Sequence, residues 1–307
     1  MRLAVKAVPP FDFGLSALVF SGGDRQIRRY ENGRFWQVIR IGGKLVLIMV
    51  EASGSVEEPE LLVEMNSDRE ITRDDRDKVG EIVCSLFNLD FDLKPFYEGV
   101  RGDVVMAKVT SRLWGLRSPT TATVFEALID SIVEQQISLN VAHVLEGKVI
   151  GAFGDALRVS GEVFYVYPTP ARLASATVSQ LRACGLSERK SEYVRNVSRM
   201  VADGVLDLER VGAYDDANRI IGELDEVRGI GVWTAELTMV RGMRRLDVVP
   251  ADDLGLRRVM SHFYGSGRMI SGEEARRIAE RWGAWKGLAS FYLIVAETLG
   301  IRPQRSD

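Results

Sequence analysis

Apolar and polar positions follow two different periods along this chain, and the change between them divides it. In the first hundred residues, 35–41 and 44–50 are runs rich in β-branched and aromatic side chains. Gly42-Gly43 joins them, a pair suited to a two-residue hairpin turn. Residues 60–64 predict a further strand. Behind them Val79, Ile82, Val83, Leu86 and Phe87 recur at helical spacing, after a Thr72–Asp75 pair with the spacing of a capping box. From about residue 105 the period is helical almost throughout. Phe125, Leu128, Ile129, Ile132 and Val133 form one apolar face behind a Thr123–Glu126 box. That face runs into Glu134-Gln135-Gln136-Ile137-Ser138. Thr169-Pro170 reads as an N-cap followed by proline at the first helical position, and Ser187 caps a helix that ends near Gly204. Residues 224–240 read as a helix, a tight Gly229-Ile230-Gly231 turn and a second helix. Asp252 or Asp253 starts another helix, and residues 272–300 carry one or two more. No later run has comparable β character. The pattern predicts an α+β class chain, with an α+β domain over 1–104 and an all-helical domain over 105–307.

Composition narrows the class. With 307 residues, 46% hydrophobic and 27% charged, the chain has the makeup of a globular protein with room for two domains. Its longest apolar run, residues 45–50, is too short to cross a membrane, and the N-terminus lacks the apolar core of a signal peptide. Two cysteines, Cys84 and Cys184, read as reduced thiols and are too few for a four-cysteine zinc site or iron–sulfur cluster. Two histidines argue against a histidine-rich metal site. The net charge of −3 is uneven. Residues 1–104 hold 14 Lys and Arg against 18 Asp and Glu, a net −4, and the remainder carries +1. Nucleic-acid binding by the second part would rest on local geometry more than on a broad basic field.

Three stretches carry candidate chemistry, each beside a plainer reading. In the Gly229-Ile230-Gly231 turn, glycines permit positive φ and close backbone approach. The N–H groups that open the next helix, through Thr234, can bind a phosphate oxygen. The same residues also suit an ordinary corner between two helices, with Ile230 anchored in the core. Asp252 and Asp253 at a helix start suit capping as well as catalysis. Gln135 and Gln136 can enter a base stack or simply satisfy a helix end. The aromatic tail of Trp282, Trp285, Phe291 and Tyr292 fits a core better than a binding surface.

Taken in order, these pieces carry a resemblance. PTTATVFEALIDSIVEQQISLNVA, YPTPARLASATVSQLRACGLSERKSEYV, LDEVRGIGVWTAEL, VPADDLGLRRV and RWGAWKGLASFYLIV together resemble the helix-hairpin-helix (HhH-GPD) DNA glycosylases, and within them the AlkA-type 3-methyladenine glycosylases. The match spans most of residues 115–300, and the segment before it fits the subgroup's TBP-like N-terminal α+β domain. The resemblance implies the following. Asp253, followed by Arg258 and Val259 in the family's register, is the catalytic carboxylate, and Asp252 takes a capping or supporting role. Gly229, Ile230, Gly231 and Thr234 hold the DNA backbone. Gln136 wedges the gap left by a flipped base, where the relative carries leucine. Trp233, Leu237, Ile294 and Gln135 line the base pocket. Trp233 stands where strand-cutting relatives carry lysine, so the reaction is expected to be monofunctional hydrolysis without a Schiff base. Leu237 and Ile294 replace pocket aromatics, which leaves room for hypoxanthine, uracil or an oxidised purine. The expected partner is damaged double-stranded DNA, bound by a monomer in the cytoplasm, at the nucleoid if the source is prokaryotic. No metal or iron–sulfur cluster is expected, and a monovalent cation at the hairpin is compatible. The competing class is a non-catalytic helix-hairpin-helix DNA-binding protein, which would need no carboxylate at Asp253.

Overall fold

Strands whose residues are apolar on both faces have to be covered on both sides, and the architecture does this. The computed structural model describes residues 1–22 and 24–301. Five strands, β1 (Arg2–Lys6), β2 (Arg28–Glu31), β3 (Arg34–Ile41), β4 (Lys44–Ala52) and β5 (Glu60–Asn66), form an antiparallel sheet in the order β1-β5-β4-β3-β2. The short helix α1 (Phe13–Ala17) precedes β2, and α2 (Arg73–Phe87) follows β5. On one face Phe35, Ile39, Val46, Ile48 and Val50 pack with Val79, Val83 and Phe87 of α2. The Thr72–Asp75 capping box of α2 forms in full. On the other face Val38, paired with Leu47, meets Leu157, Phe164 and Val166.

Those last residues belong to or adjoin a hairpin, β6 (Ala156–Val159) and β7 (Glu162–Tyr165), inside the region expected to be all helical. Four-residue strands of mixed polarity give too short a period to read. The remaining α-helices are α3 (Lys94–Val100), α4 (Val104–Arg112), α5 (Val124–Glu134), α6 (Leu139–Phe153), α7 (Pro170–Ala174), α8 (Val178–Ala183), α9 (Glu188–Ala202), α10 (Leu208–Gly212), α11 (Ala217–Asp225), α12 (Val232–Gly242), α13 (Leu254–Tyr264), α14 (Gly272–Ala279) and α15 (Lys286–Thr298).

The helices divide between two cores. One takes α5 to α12 and ends at Val248. The other begins at Val249 and combines α13, α14 and α15 with α3 and α4. The sheet's core ends at Leu89, whereas Leu93 and Phe96 already lie with Tyr292, the Phe96 and Tyr292 rings 4.9 Å apart. Packing therefore changes hands ahead of residue 104, because α3 buries its apolar side on α15 and its neighbours. Arg117, 1% exposed, ties the units together by donating to the carbonyls of Val8, Pro10 and Asn88, and its burial draws its pKa down to about 10.

Glu126, Asp130 and Glu134 line one side of α5 at four-residue intervals. Thr123 caps α5 through the Glu126 N–H, but the Glu126 carboxylate turns to Arg28 of β2 instead of closing the expected box. Asp130 accepts from the Tyr167 hydroxyl at 2.9 Å, and Glu134 pairs with Arg241. Glu146 of α6 joins them with a buried Oε1 that has no hydrogen-bond partner among the described residues. Burial and neighbouring carboxylates push Asp130 up to about 7 and Glu146 up to about 9. A carboxyl raised in the fold keeps its proton where the unfolded chain has lost it. Its contribution is therefore full below about pH 4 and declines as pH rises toward the folded value. Glu146→Gln removes this penalty. We expect it to stabilise the protein by about 2 kcal/mol at pH 8 and by much less at pH 5. Thermal melts at the two pH values check this, and equal gains at both would contradict it.

Candidate active site

The turn between α11 and α12 is held from below. Ile220 and Leu224 of α11, with Val227 and Ile230 of the turn, are buried in one core. Gly229 has φ +102°, and a Cβ there would come within 2.7 Å of both Cδ atoms of Tyr193 and closer still to Cγ. Gly231 differs from expectation. Its φ is −106°, and a Cβ would meet nothing nearer than Asp225 Oδ1 at 4.0 Å. The fold therefore requires glycine at 229, while at 231 glycine leaves the approach to the helix start open. Gly231 is the N-cap of α12 and no side chain caps that helix. Among the described residues, no hydrogen bond occupies the N–H groups of Gly231, Val232 and Trp233. Such a helix start presents donors and positive dipole to an anion.

The Gln135-Gln136 pair reaches the same place from α5. Gln135 ends α5, and its Nε2 donates to Gly229 O and to Thr234 Oγ1, both at 2.9 Å. This corrects its expected place in a base pocket, because both amide hydrogens are used on the hairpin. Thr234 is 2% exposed, so its hydroxyl supports the turn from inside and is not available to a phosphate. Gln136 is exposed, with φ +57°. A surface cavity of about 330 Å³ lies here, lined by Gln135, Gln136, Ser187, Arg189, Lys190, Tyr193 and residues 229–231. Arg189 and Lys190 place local positive charge beside the free N–H groups. Lys190 Nζ also donates to Val133 O at 2.7 Å, and its partial burial lowers its pKa.

Asp253 stands where the chain has just passed from one helical core to the other. Pro250, Ala251 and Asp252 follow the Val248–Val249 crossing, and Asp253 is the N-cap of α13, its Oδ1 accepting from Leu256 N at 2.7 Å. The capping role expected of Asp252 therefore belongs to Asp253 itself. Its second oxygen has no hydrogen-bond partner among the described residues. Asp252 is exposed and lies 3.9 Å from Arg276. Arg276 of α14 grips Glu236 of α12 with two bonds, 2.6 and 3.3 Å. Glu236 is 2% exposed; burial raises its pKa and the Arg276 guanidinium opposes the rise. This Glu236–Arg276–Asp252 chain fastens the hairpin's second helix to the aspartate turn. Nothing in the sequence marked Glu236, Arg276 or Tyr193 for these roles, since each sits in an ordinary helical pattern.

Trp233 is half-buried, one turn before Leu237, which is 9% exposed. The Trp233 indole N–H is buried without a hydrogen-bond partner among the described residues. Ile294 is 40% exposed on α15. Tyr292, two residues earlier, is fully buried and bonded to Leu116 O at 2.6 Å and to the Tyr97 hydroxyl at 3.1 Å, so it belongs to the core.

The arrangement combines a turn with free N–H groups, an exposed side chain beside it, and a carboxylate with one oxygen unbonded among the described residues. The chain as a whole is similar to known proteins. Residues 129–284 match the model of the HhH-GPD superfamily base excision DNA repair proteins. A DNA-3-methyladenine glycosylase of Bacillus subtilis is 30% identical over 266 residues, which is 86% of each chain. The solved 3-methyladenine DNA glycosylase of Archaeoglobus fulgidus has a TM-score of 0.84 at 29% identity, over 97% of this chain and 98% of that one. An 8-oxoguanine glycosylase/lyase of Clostridium acetobutylicum, solved with DNA, has the same fold, with a TM-score of 0.76 at 19% identity over 98% and 99% of the two chains.

Proposed function

The chain belongs to the HhH-GPD superfamily of base excision DNA repair proteins, and on that footing we propose that it is a monofunctional DNA glycosylase. It hydrolyses the N-glycosidic bond of alkylated bases of the 3-methyladenine and 7-methylguanine type in double-stranded DNA. The observation that carries this reading is the pairing of two features. One is the uncapped helix start at Gly231; the other is Asp253, whose cap uses one carboxylate oxygen and leaves one for chemistry.

The target base leaves the stack before reaction, and damage lowers the cost of that step. Gln136 fills the space it vacates, while the N–H groups at residues 231–233 and the charges of Arg189 and Lys190 hold the backbone. As the C1′–N bond breaks, its electron pair leaves with the base and positive charge develops on the sugar. The free oxygen of Asp253 stabilises that charge. Water then attacks C1′ and gives its proton to the Asp253 carboxylate. A cationic alkylated purine departs neutral, so little acid assistance is needed. Trp233 and Leu237 offer an apolar wall to the flipped base, and the Trp233 ring suits an electron-poor one. With Trp233 in place of a lysine, no amine is available there to attack C1′.

No step requires a metal or cofactor. A monovalent cation at the hairpin would share the Gly229 carbonyl with Gln135. The protein works as a monomer in the cytoplasm, at the nucleoid if the source is prokaryotic. No helix among the described residues is long and apolar enough to cross a membrane.

The test is release of bases from methylated DNA, read by chromatography, together with gel analysis of single-lesion duplexes. The expected product is an intact strand with an abasic site that breaks only after alkali or AP endonuclease. Scission without either would contradict the monofunctional mechanism. The same panel, with hypoxanthine, uracil and oxidised purines included, sets the lesion range that the aliphatic Leu237 and Ile294 permit.

A further inference from the structure

The Gln135 side chain joins two parts of the site that are 94 residues apart. We propose that Gln135 is a positioning residue that locks the Gln136 loop to the Gly229–Gly231 hairpin, so that wedge and backbone grip move on DNA as one rigid jaw. This rests on the glycosylase reading for what the jaw does, and on the geometry for how it is built.

Both hydrogens of the Gln135 amide are engaged, and the two acceptors bracket the turn. Gly229 O lies at its start and Thr234 Oγ1 lies in the first turn of α12, each 2.9 Å from Nε2. Thr234 is in turn held in a buried helix, where Thr238 Oγ1 donates to Thr234 O at 2.7 Å. A single side chain therefore fixes both the height and the rotation of the hairpin against the end of α5. The wedge loop has little else to hold it. Between the end of α5 and the start of α6, its backbone bonds are Ile137 N to Glu134 O at 3.3 Å and Ala142 N to Ser138 O at 3.0 Å. Ser138 makes no side-chain cap to α6. Gln136 takes the left-handed conformation, φ +57°, directly after the anchored residue. Its exposed side chain therefore leaves the loop at the point where Gln135 is pinned.

Helix α9 braces the same junction. Lys190 Nζ holds the Val133 carbonyl at the end of α5, and the ring of Tyr193 lies under Gly229. Losing the Gln135 amide would leave α5 and α12 packed in one core and joined by the Arg241–Glu134 pair, and would remove the link made at the loop itself. Unstacking a base by a wedge needs that link, because the push of Gln136 on the stack must be opposed by the grip on the backbone.

A double-mutant cycle tests this. Gln135→Met keeps the length and volume but cannot donate. Gln135→Glu keeps the shape and cannot donate to Gly229 O, and it guards against a packing artefact in the first variant. Each is combined with Gln136→Ala, and thermal melts verify folding. The readout is fluorescence of 2-aminopurine next to a tetrahydrofuran abasic analogue, with affinity for undamaged duplex measured alongside. The expected result is about a tenfold loss of unstacking in Gln135→Met, a similar loss in Gln136→Ala, and no further loss in the pair. Affinity for undamaged duplex changes little.

Multiplying losses in the pair would overturn the proposal, as would normal unstacking in either Gln135 variant or in Gln136→Ala. Fluorescence needs no bond cleavage. If the wild type released no base from any lesion, the glycosylase reading alone would fall, and the cycle would still decide the role of Gln135.

Discussion

Asp253→Asn is expected to lower the single-turnover rate of base release by about 100- to 1000-fold while the protein folds and binds lesion DNA as before. The substitution suits this site because Asp253 has two jobs. Its Oδ1 caps α13 by accepting from Leu256 N, and asparagine caps a helix about as well as aspartate. What asparagine lacks is the negative charge that stabilises the developing sugar cation and the basicity that takes a proton from water. Asp253→Ala should lose the same activity and, in addition, about 1 kcal/mol of stability from the missing cap. Comparing melting curves and chromatographic release for the two variants separates the roles. An Asp253→Asn protein that releases methylated purines at the wild-type rate would remove this carboxylate from the mechanism. Asp252→Asn is the control. It loosens an exposed 3.9 Å pair with Arg276 and should cost only a few-fold in rate.

Gly229→Ala is expected to destabilise the protein by about 3 kcal/mol and to weaken DNA binding tenfold or more. Two effects combine. The backbone at φ +102° disfavours any side chain, and the new methyl group would overlap the Tyr193 ring. Moving the ring or the turn also disturbs the Gly229 carbonyl that Gln135 holds. Gly229→Ala with Tyr193→Ala relieves the overlap but not the backbone conformation, so it should recover only part of the stability. Gly231→Ala provides the contrast. With φ −106° and open space around it, that variant should melt like the wild type and lose DNA affinity alone, because its methyl stands where a phosphate approaches. Equal melting temperatures for the two alanine variants would contradict this division of roles. Differential scanning fluorimetry and binding titrations on an abasic-analogue duplex make both measurements.

The parts of the fold legible in the sequence were those whose signal is local. The α5 face, the Thr72, Thr169 and Ser187 caps, the β3–β4 hairpin and the Gly229–Gly231 turn each depend on residues a few positions apart. The β6–β7 hairpin escaped because its strands are stabilised by Val38 and Leu47, more than a hundred residues away. Charge and pattern put the domain boundary at 104. Phe96, which nothing nearby distinguishes, chose the other core by packing against Tyr292.

The same division runs through the site. Helix periodicity, turn glycines and paired aspartates are properties of short segments, so the chain by itself determined that a hairpin and a helix-capping carboxylate exist and in which order. Which aspartate caps, that Gln135 serves the hairpin instead of a base, and that Glu236 and Arg276 fasten α12 to the aspartate turn were decided only by the tertiary structure. The last two depend on directional bonds of about 3 Å between residues 40 to 99 positions apart. Periodicity records which side of an element is buried. It carries no information about which distant donor a buried amide or carboxylate will meet.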